Sequence, residues 1–405
     1  MNDKSRKTLI NKKPSNMTLE KGNRPGFYIS QSTGYSAFIP ANLPPTPTLT
    51  LDKELLLNLA TASTALGRLD GLASLIKDPD LFVYLYVRKE ALLSAQIEGT
   101  QCSLEDILDE SAIETSGKKI NPDIQEVSNY VQAINTGLKH LDKIPVSSRL
   151  IKELHALIVK GVRGANKTPG EYRQSQNWIG QHGATLMTAE YVPPPAHEVN
   201  RLMGELEKFI HNDDSLPPLV KAALVHYQFE TIHPFLDGNG RVGRLLITLL
   251  LCSWGLLQKP LLYLSYFFKA NRTEYYSKLS KVRSKGDFEG WINFFLTGVS
   301  ETAGIACSTA KAIHDLHIKD QEKLNKNNVT ATTFQVFEQL CRFPIVTVPQ
   351  LVSLVDGTTP KIQRAVDSLK NLGVVKEITG QQRNRRWVYA QYMELLRRDT
   401  VAPIG

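Results

Sequence analysis

The sequence predicts a mainly α protein that ends in a small separate unit of three helices and a two-stranded hairpin. Three observations carry this. Leu55, Leu59, Leu66 and Leu69 recur at helical spacing, and further periodic segments follow as far as Lys323. Clusters of Gly and Pro punctuate these segments without replacing them. A polar stretch, EKLNKNNVTATT, then separates the long helical part from a C-terminal unit with a different rhythm.

Taken in order, residues 1–26 are polar, basic and poor in apolar periodicity, which predicts a mobile tail. IPANLPPTPTL, with Pro40, Pro44, Pro45 and Pro47, reads as a stiff extended linker to about residue 50. A helix begins near Leu51, and a second spans about Pro79–Glu98. Further helices are expected over about Ser148–Val162, His197–Asn212, Pro217–Ile232, Gly240–Trp254, Arg272–Ser284 and Phe288–Lys323. Ser147 or Ser148 can cap the first of these. Within residues 180–195, GQHGATLMTAEYVPPP combines glycines, β-branched residues and three prolines, so a short hairpin or flap is expected around 183–193. The boundaries implied are 1–50 for tail and linker, 51–145 for an N-terminal helical region, 146–325 for a core and 328–400 for the last unit.

The 405 residues carry 48 basic and 40 acidic side chains, a net charge of +8. That surplus is not spread evenly. Residues 1–26 hold +5 and residues 328–405 hold +4, while 27–327 sum to −1. Hydrophobic content of 42% and charged content of 22% exclude a disordered or collagen-like chain. The richest apolar run, Leu245–Cys252, is far shorter than the roughly 20 residues of a membrane span. MNDKSRKTLINKKPSN lacks the apolar region of a secretory signal. Cys102, Cys252, Cys307 and Cys341 lie far apart, which argues against a disulfide framework or a zinc ribbon and for a cytoplasmic protein with reduced thiols.

The chemistry concentrates in residues 233–244, HPFLDGNGRVGR. One helix ends near Ile232 and another starts near Gly240. Gly238 and Gly240 let backbone pass close to a ligand. A helix start offers free N–H groups and the positive end of the dipole, which suits an anion. Arg241 and Arg244 add two cations on one helix face. Asp237 is a hard oxygen ligand suited to Mg²⁺, and His233 can take a proton near neutral pH. Together these describe a site for a magnesium polyphosphate beside a general base.

The string matches every fixed position of the Fic signature, H-P-F-x-[D/E]-G-N-G-R-x-x-R, and the chain resembles that family over about residues 51–325. PGEYR (169–173), NWIG (177–180) and NRTEYY (271–276) share the likeness. The resemblance implies a Fic-type helical bundle with a β-hairpin flap before the motif. It also implies transfer of AMP from ATP to a Tyr, Thr or Ser hydroxyl of a target protein and of the enzyme itself. His233 would be the base and Asp237 would hold Mg²⁺. Gly238, Asn239, Gly240, Arg241, Val242, Gly243 and Arg244 would line the phosphates, with Arg241 on the β- and Arg244 on the γ-phosphate. Tyr275 and Tyr276 would lie at the adenine, and the flap would hold the target by main-chain pairing. Glycine at 238 fits the AMP-transferring subgroup rather than the phosphotransferases. Because many relatives pair, the resemblance leaves a homodimer open.

SAQIEG (94–99) resembles the family's inhibitory motif, [S/T]-x-x-x-E-[G/N]. Ser94 and Glu98 share a helix face, and Gly99 suits the helix end. On this reading Glu98 forms a bidentate pair with Arg244 and so denies it to the γ-phosphate. The same Glu98 could serve removal of AMP.

In the last unit, helices are expected over Thr333–Cys341, Val348–Val355 and Thr359–Leu372, and strands over Val374–Thr379 and Trp387–Ala390. Helix–turn–helix followed by a basic hairpin is the pattern of a winged helix. Lys361 and Arg364 would sit on its recognition helix, and Arg383, Arg385 and Arg386 on its wing. This supports an alternative: a winged-helix DNA-binding regulator whose Fic core acts mainly on itself. His226 and Glu230 lie at helical spacing from His233, but no H-E-x-x-H is present and His226 reads as structural.

Overall fold

In the computed structural model, residues 24–75, 79–109, 121–181, 183–212, 215–383, 385–398 and 400 are described. The expected N-terminal tail lies, up to residue 23, outside them. The chain then does something the proline content conceals. Gly26–Ser30 (β1) and Ser36–Pro40 (β2) form an antiparallel hairpin with Tyr28 opposite Phe38. Residues 26–40 are therefore neither tail nor linker. Phe38 donates its N–H to Val192 O at 3.0 Å, and Gln228 donates to Ala41 O at 2.9 Å, so the hairpin is seated on the core. Arg24 secures its base by bonding both carboxylate oxygens of Glu289, at 2.8 and 2.9 Å.

The helical part comprises α1 (Lys53–Leu75), α2 (Pro79–Ile97), α3 (Leu104–Leu108), α4 (Pro122–Leu141), α5 (Ser148–Ile158), α6 (Val199–His211), α7 (Pro218–Ile232), α8 (Asn239–Ser253), α9 (Ser265–Ala270), α10 (Arg272–Lys285) and α11 (Phe288–Lys326). Their starts follow local chemistry. Ser147 caps α5 by accepting from Leu150 N–H, and Asn121 caps α4 with Pro122 in its first turn. α4 is absent from the sequence-based expectation, although Ile124, Val127, Val131, Ile134, Leu138 and Leu141 repeat at helical spacing. α7 and α8 are buried nearly all round and form the centre, as sequences apolar on every face must.

The expected flap does not form a ladder. Among the described residues, one bridge between Ile179 and Tyr191 closes the loop, and residues 185–188 make a turn in which Thr188 N–H bonds Thr185 O. Pro193, Pro194 and Pro195 have no N–H to continue the pairing.

At 39 residues, α11 extends about 58 Å. Its far end enters the last unit, α12 (Ala331–Arg342), β3 (Ile345–Thr347), α13 (Val348–Leu354), α14 (Thr359–Asn371), β4 (Val375–Glu377), β5 (Arg386–Tyr389) and α15 (Ala390–Arg397). The sheet order is β3-β5-β4, antiparallel throughout. Trp387 and Tyr389 point into a buried core with Ile362, Val366 and Leu369. Tyr389 donates its hydroxyl to Asp320 at 2.7 Å, and Lys323 donates to Leu372 O, joining α11 to this unit.

Candidate active site

The site lies where α7 turns into α8. The turn requires His233 at φ 50° and Gly238 at φ 79°, both left-handed. For histidine this conformation costs about 1 kcal/mol or more, so the surroundings must impose it. Arg173 does most of this. It is buried, and its guanidinium donates to His233 O at 2.9 Å, Pro194 O at 2.6 Å, Ser175 O at 3.3 Å and Ile232 O at 3.4 Å. Its own N–H bonds Pro234 O. Asn177 donates to Phe235 O at 2.9 Å. His155 stacks on the Phe235 ring at 3.8 Å; it accepts from Gly170 N–H on Nδ1, so Nε2–H donates to Asp237 O at 3.0 Å. Burial pushes His155 down to about 4, which keeps it neutral and holds this tautomer. Sequence reasoning gave none of these three residues a role, although Arg173 and Asn177 lie in segments it singled out.

His233 keeps Nδ1 near Glu230 O at 3.4 Å, which leaves Nε2 free to accept a proton. Burial, with the Arg173 charge nearby, pushes it down to about 4, so the ring is neutral at physiological pH.

The motif residues divide into those that face the site and those that shape it. Asn239 is buried, and its amide makes two 2.8 Å bonds, from Phe235 N–H and to Phe235 O. It therefore locks the loop. Val242 is a core residue, and its N–H bonds Gly238 O. Gly243 allows close packing of α8 on α7, since a Cβ there would overlap the Glu230 carboxylate. Neither lines the phosphate site.

Arg241 is fully buried, with Asp237 Oδ1 at 3.3 Å and Glu126 at 3.6 Å. Its Nε and Nη1 have no hydrogen-bond partner. Two buried donors in that state leave a deficit that an arriving anion would fill. Arg244, one turn on, has three of its five N–H donors engaged, all on Nε and Nη2. It donates to Ser94 Oγ and Ser94 O at 2.9 Å each and to Glu98 Oε1 at 2.8 Å. The Glu98 contact is thus through one oxygen on Nη2, not the expected bidentate fork, while Ser94 holds the Nε and Nη2 edge. Burial pushes the Glu98 carboxyl up, but Arg244, with Arg241 and Arg163, outweighs it and leaves the group below its ordinary value. The carboxylate lies over the first turn of α8: a Cβ on Gly240 would overlap Glu98 Oε1. Gly99, at φ 99°, ends the α2 segment, and Arg163 bonds Glu98 O at 3.0 Å.

Tyr275 is not at a nucleotide face. It is buried, stacks on Phe268 at 4.5 Å, and gives its hydroxyl proton to His226 Nε2 at 2.8 Å. His226 in turn donates from Nδ1 to Gly243 O at 3.0 Å, a structural role. Tyr276 is 39% exposed and is the available aromatic. No group of three or more metal-ligating side chains occurs among the described residues. Asp237 is part-exposed and stands alone, which suits an ion that keeps water and phosphate ligands but not an all-protein cage.

Family models describe residues 56–139 as Fic/DOC family N-terminal and 145–251 as Fic/DOC family. The protein adenylyltransferase Fic of Drosophila yakuba is 30% identical over 263 residues, 62% of this chain and 48% of that protein. The Drosophila grimshawi protein of the same name is 30% identical over 197 residues, 48% and 37% of the two chains. The chain therefore spans half or less of these relatives. A Fic family protein from Desulfovibrio desulfuricans G20 shares the fold with a TM-score of 0.55 at 22% identity, covering 84% of this chain and 97% of that one.

Proposed function

We propose, from the premise that this chain belongs to the Fic/DOC family, that it is a protein adenylyltransferase held inactive by its own Glu98. The observation that carries this is the contrast between two arginines one turn apart at a helix start. Arg241, beside Asp237 and Glu126, keeps Nε and Nη1 without a hydrogen bond, while Arg244 is held by Ser94 and the Glu98 carboxylate at 2.8 Å.

His233 Nε2 would remove the proton from a Tyr, Thr or Ser hydroxyl of the target. The freed oxygen would attack the α-phosphorus of ATP, and pyrophosphate would leave as the P–O bond breaks. The N–H groups of the first α8 turn and Arg241 meet the growing negative charge, and their fixed positions supply most of the rate. Arg244 would hold the γ-phosphate once Glu98 has gone. Tyr276 is the aromatic for the adenine side. Asp237 would hold Mg²⁺, which contributes charge neutralisation. A charge-assisted bond of the Glu98–Arg244 kind contributes about 2 kcal/mol, which is about thirtyfold in the open population.

The test is labelling by purified wild-type and Glu98→Gly chains with ATP labelled at the α- or the γ-phosphate. The expected result is α-label only, raised at least about tenfold in the variant. Label from the γ-phosphate would mean phosphotransfer, and no rise would remove the brake.

The last unit supports a second activity. Its helix order and β3-β5-β4 sheet support the winged-helix reading, and Lys361, Arg364, Arg383 and Arg385 are exposed on α14 and on the β4–β5 loop. These are contacts suited to a nucleic-acid backbone.

A further inference from the structure

We propose that the C-terminal unit clamps the inhibitory helix in place, and that duplex DNA bound across its arginine loop releases the clamp; this rests on the reading of Glu98 as a brake. The stretch that follows Glu98 is tied to the far end of the chain by two ion pairs. α3 carries Glu105, and Asp109 lies just beyond it. Glu105 pairs with Arg397 of α15. Asp109 pairs with Arg386 of β5 at 2.7 Å. On α2 itself, two residues before Glu98, Gln96 Oε1 accepts from Lys269 at 2.7 Å, and the same ammonium reaches Thr400 O at 3.4 Å. Residues 96–109 are thereby bracketed by residues 386–400.

The Asp109 pair matters most. Its carboxylate is only 8% exposed, so the pair with Arg386 lies in a nearly closed place, where breaking an ion pair is costly. Arg386 is 37% exposed. It follows directly on the exposed Arg383 and Arg385. α14 leads straight into β4 and adds exposed Lys361 and Arg364, with Lys376 on β4 itself. The acids nearby are already engaged: Asp367 by Gln363 and Glu377 by Thr379 and Gly380. Cations on a helix start and on a strand loop, with the local acids occupied, match a duplex backbone better than an acidic peptide. A phosphate that takes Arg386 takes it from Asp109. DNA binding and closure of the brake therefore compete for one guanidinium.

The experiment uses the full chain and α-labelled ATP, with thermal melting as a check that each variant is folded. Arg386→Ala and Asp109→Arg should each raise self-labelling at least threefold over wild type. Asp109→Arg combined with Arg386→Asp, which restores an opposite-charge pair, should return it to the wild-type level. A 25-base-pair duplex at low salt should raise wild-type labelling by a similar factor and should add nothing to Arg386→Ala. If Arg386→Ala and Asp109→Arg label as wild type while Glu98→Gly labels strongly, the clamp is wrong and the enzyme reading stands. If the variants release but saturating duplex has no effect on wild type, the DNA half is overturned. If Glu98→Gly itself stays silent, the brake and the clamp fall together.

Discussion

The loop at 233–238 leads into the first turn of α8 and the end of α2 at 94–99 lies against that same turn, yet they are held in different ways. The loop is overdetermined. Buried Arg173, His155 and Asn239, with half-buried Asn177, bond its backbone, and the carbonyls of His233 and Phe235 are each served twice. The α2 end holds the site through one carboxylate oxygen on Arg244, with Ser94 beside it and Arg163 on a carbonyl. A turn in a strained conformation has to be imposed by many bonds, whereas a reversible block, as proposed for Glu98, works through few. The contrast teaches that immobility and release fall to different arginines, Arg173 for the turn and Arg244 for the Glu98 contact.

The comparison can be tested at several points. His233→Ala should have the largest effect and bring labelling in the Glu98→Gly background down about 10²- to 10⁴-fold, the range for loss of a general base. Retained labelling would move the base elsewhere. Arg173→Ala should come next. It leaves several buried carbonyls unpaired, so melting should report a loss of about 3 kcal/mol and labelling should fall even where the chain is folded. A variant as stable and active as its parent would show that the turn does not need imposing. Gly240→Ala should act on the block, because a Cβ overlaps Glu98 Oε1. Self-labelling of the otherwise wild-type chain should rise about threefold, short of Glu98→Gly. A fall with no loss of stability would show that the first α8 turn tolerates no side chain at all.

Glu230→Gln is the smallest. Burial holds Glu230 up to about 7 in the folded chain, above the ordinary value of 4.5. The fold therefore favours its protonated form, and stability falls as pH rises from 4.5 through about 7. Gln should remove that slope, worth on the order of 1 kcal/mol between pH 5.5 and 8, with labelling little changed. An unchanged slope would mean that Glu230 is not the group responsible.

The motif was legible because its chemistry is contiguous: base, carboxylate, glycines and arginines follow one another in twelve residues. Most helices were legible because apolar spacing is a local signal. What stayed hidden depends on distant partners. Arg173 looks like any loop arginine until four carbonyls from 175, 194, 232 and 233 converge on it. Asn239 and Tyr275 sit in binding motifs, but their polar ends were already committed inside the fold. The hairpin at 26–40 was masked by a basic, proline-rich neighbourhood, and α15 by its shortness.

α11 has one more consequence. The polar break after Lys323 invites a cut there, as if two separable pieces met. Yet Leu316, Asp320 and Leu324 on its last turns already belong to the interior shared with Tyr389, Tyr392 and Leu372. A catalytic fragment ending at 325 would carry away a strip of its neighbour's interior and leave it raw on both sides. The two halves are joined as a tenon is to a mortise, so they should be inherited, expressed and lost together.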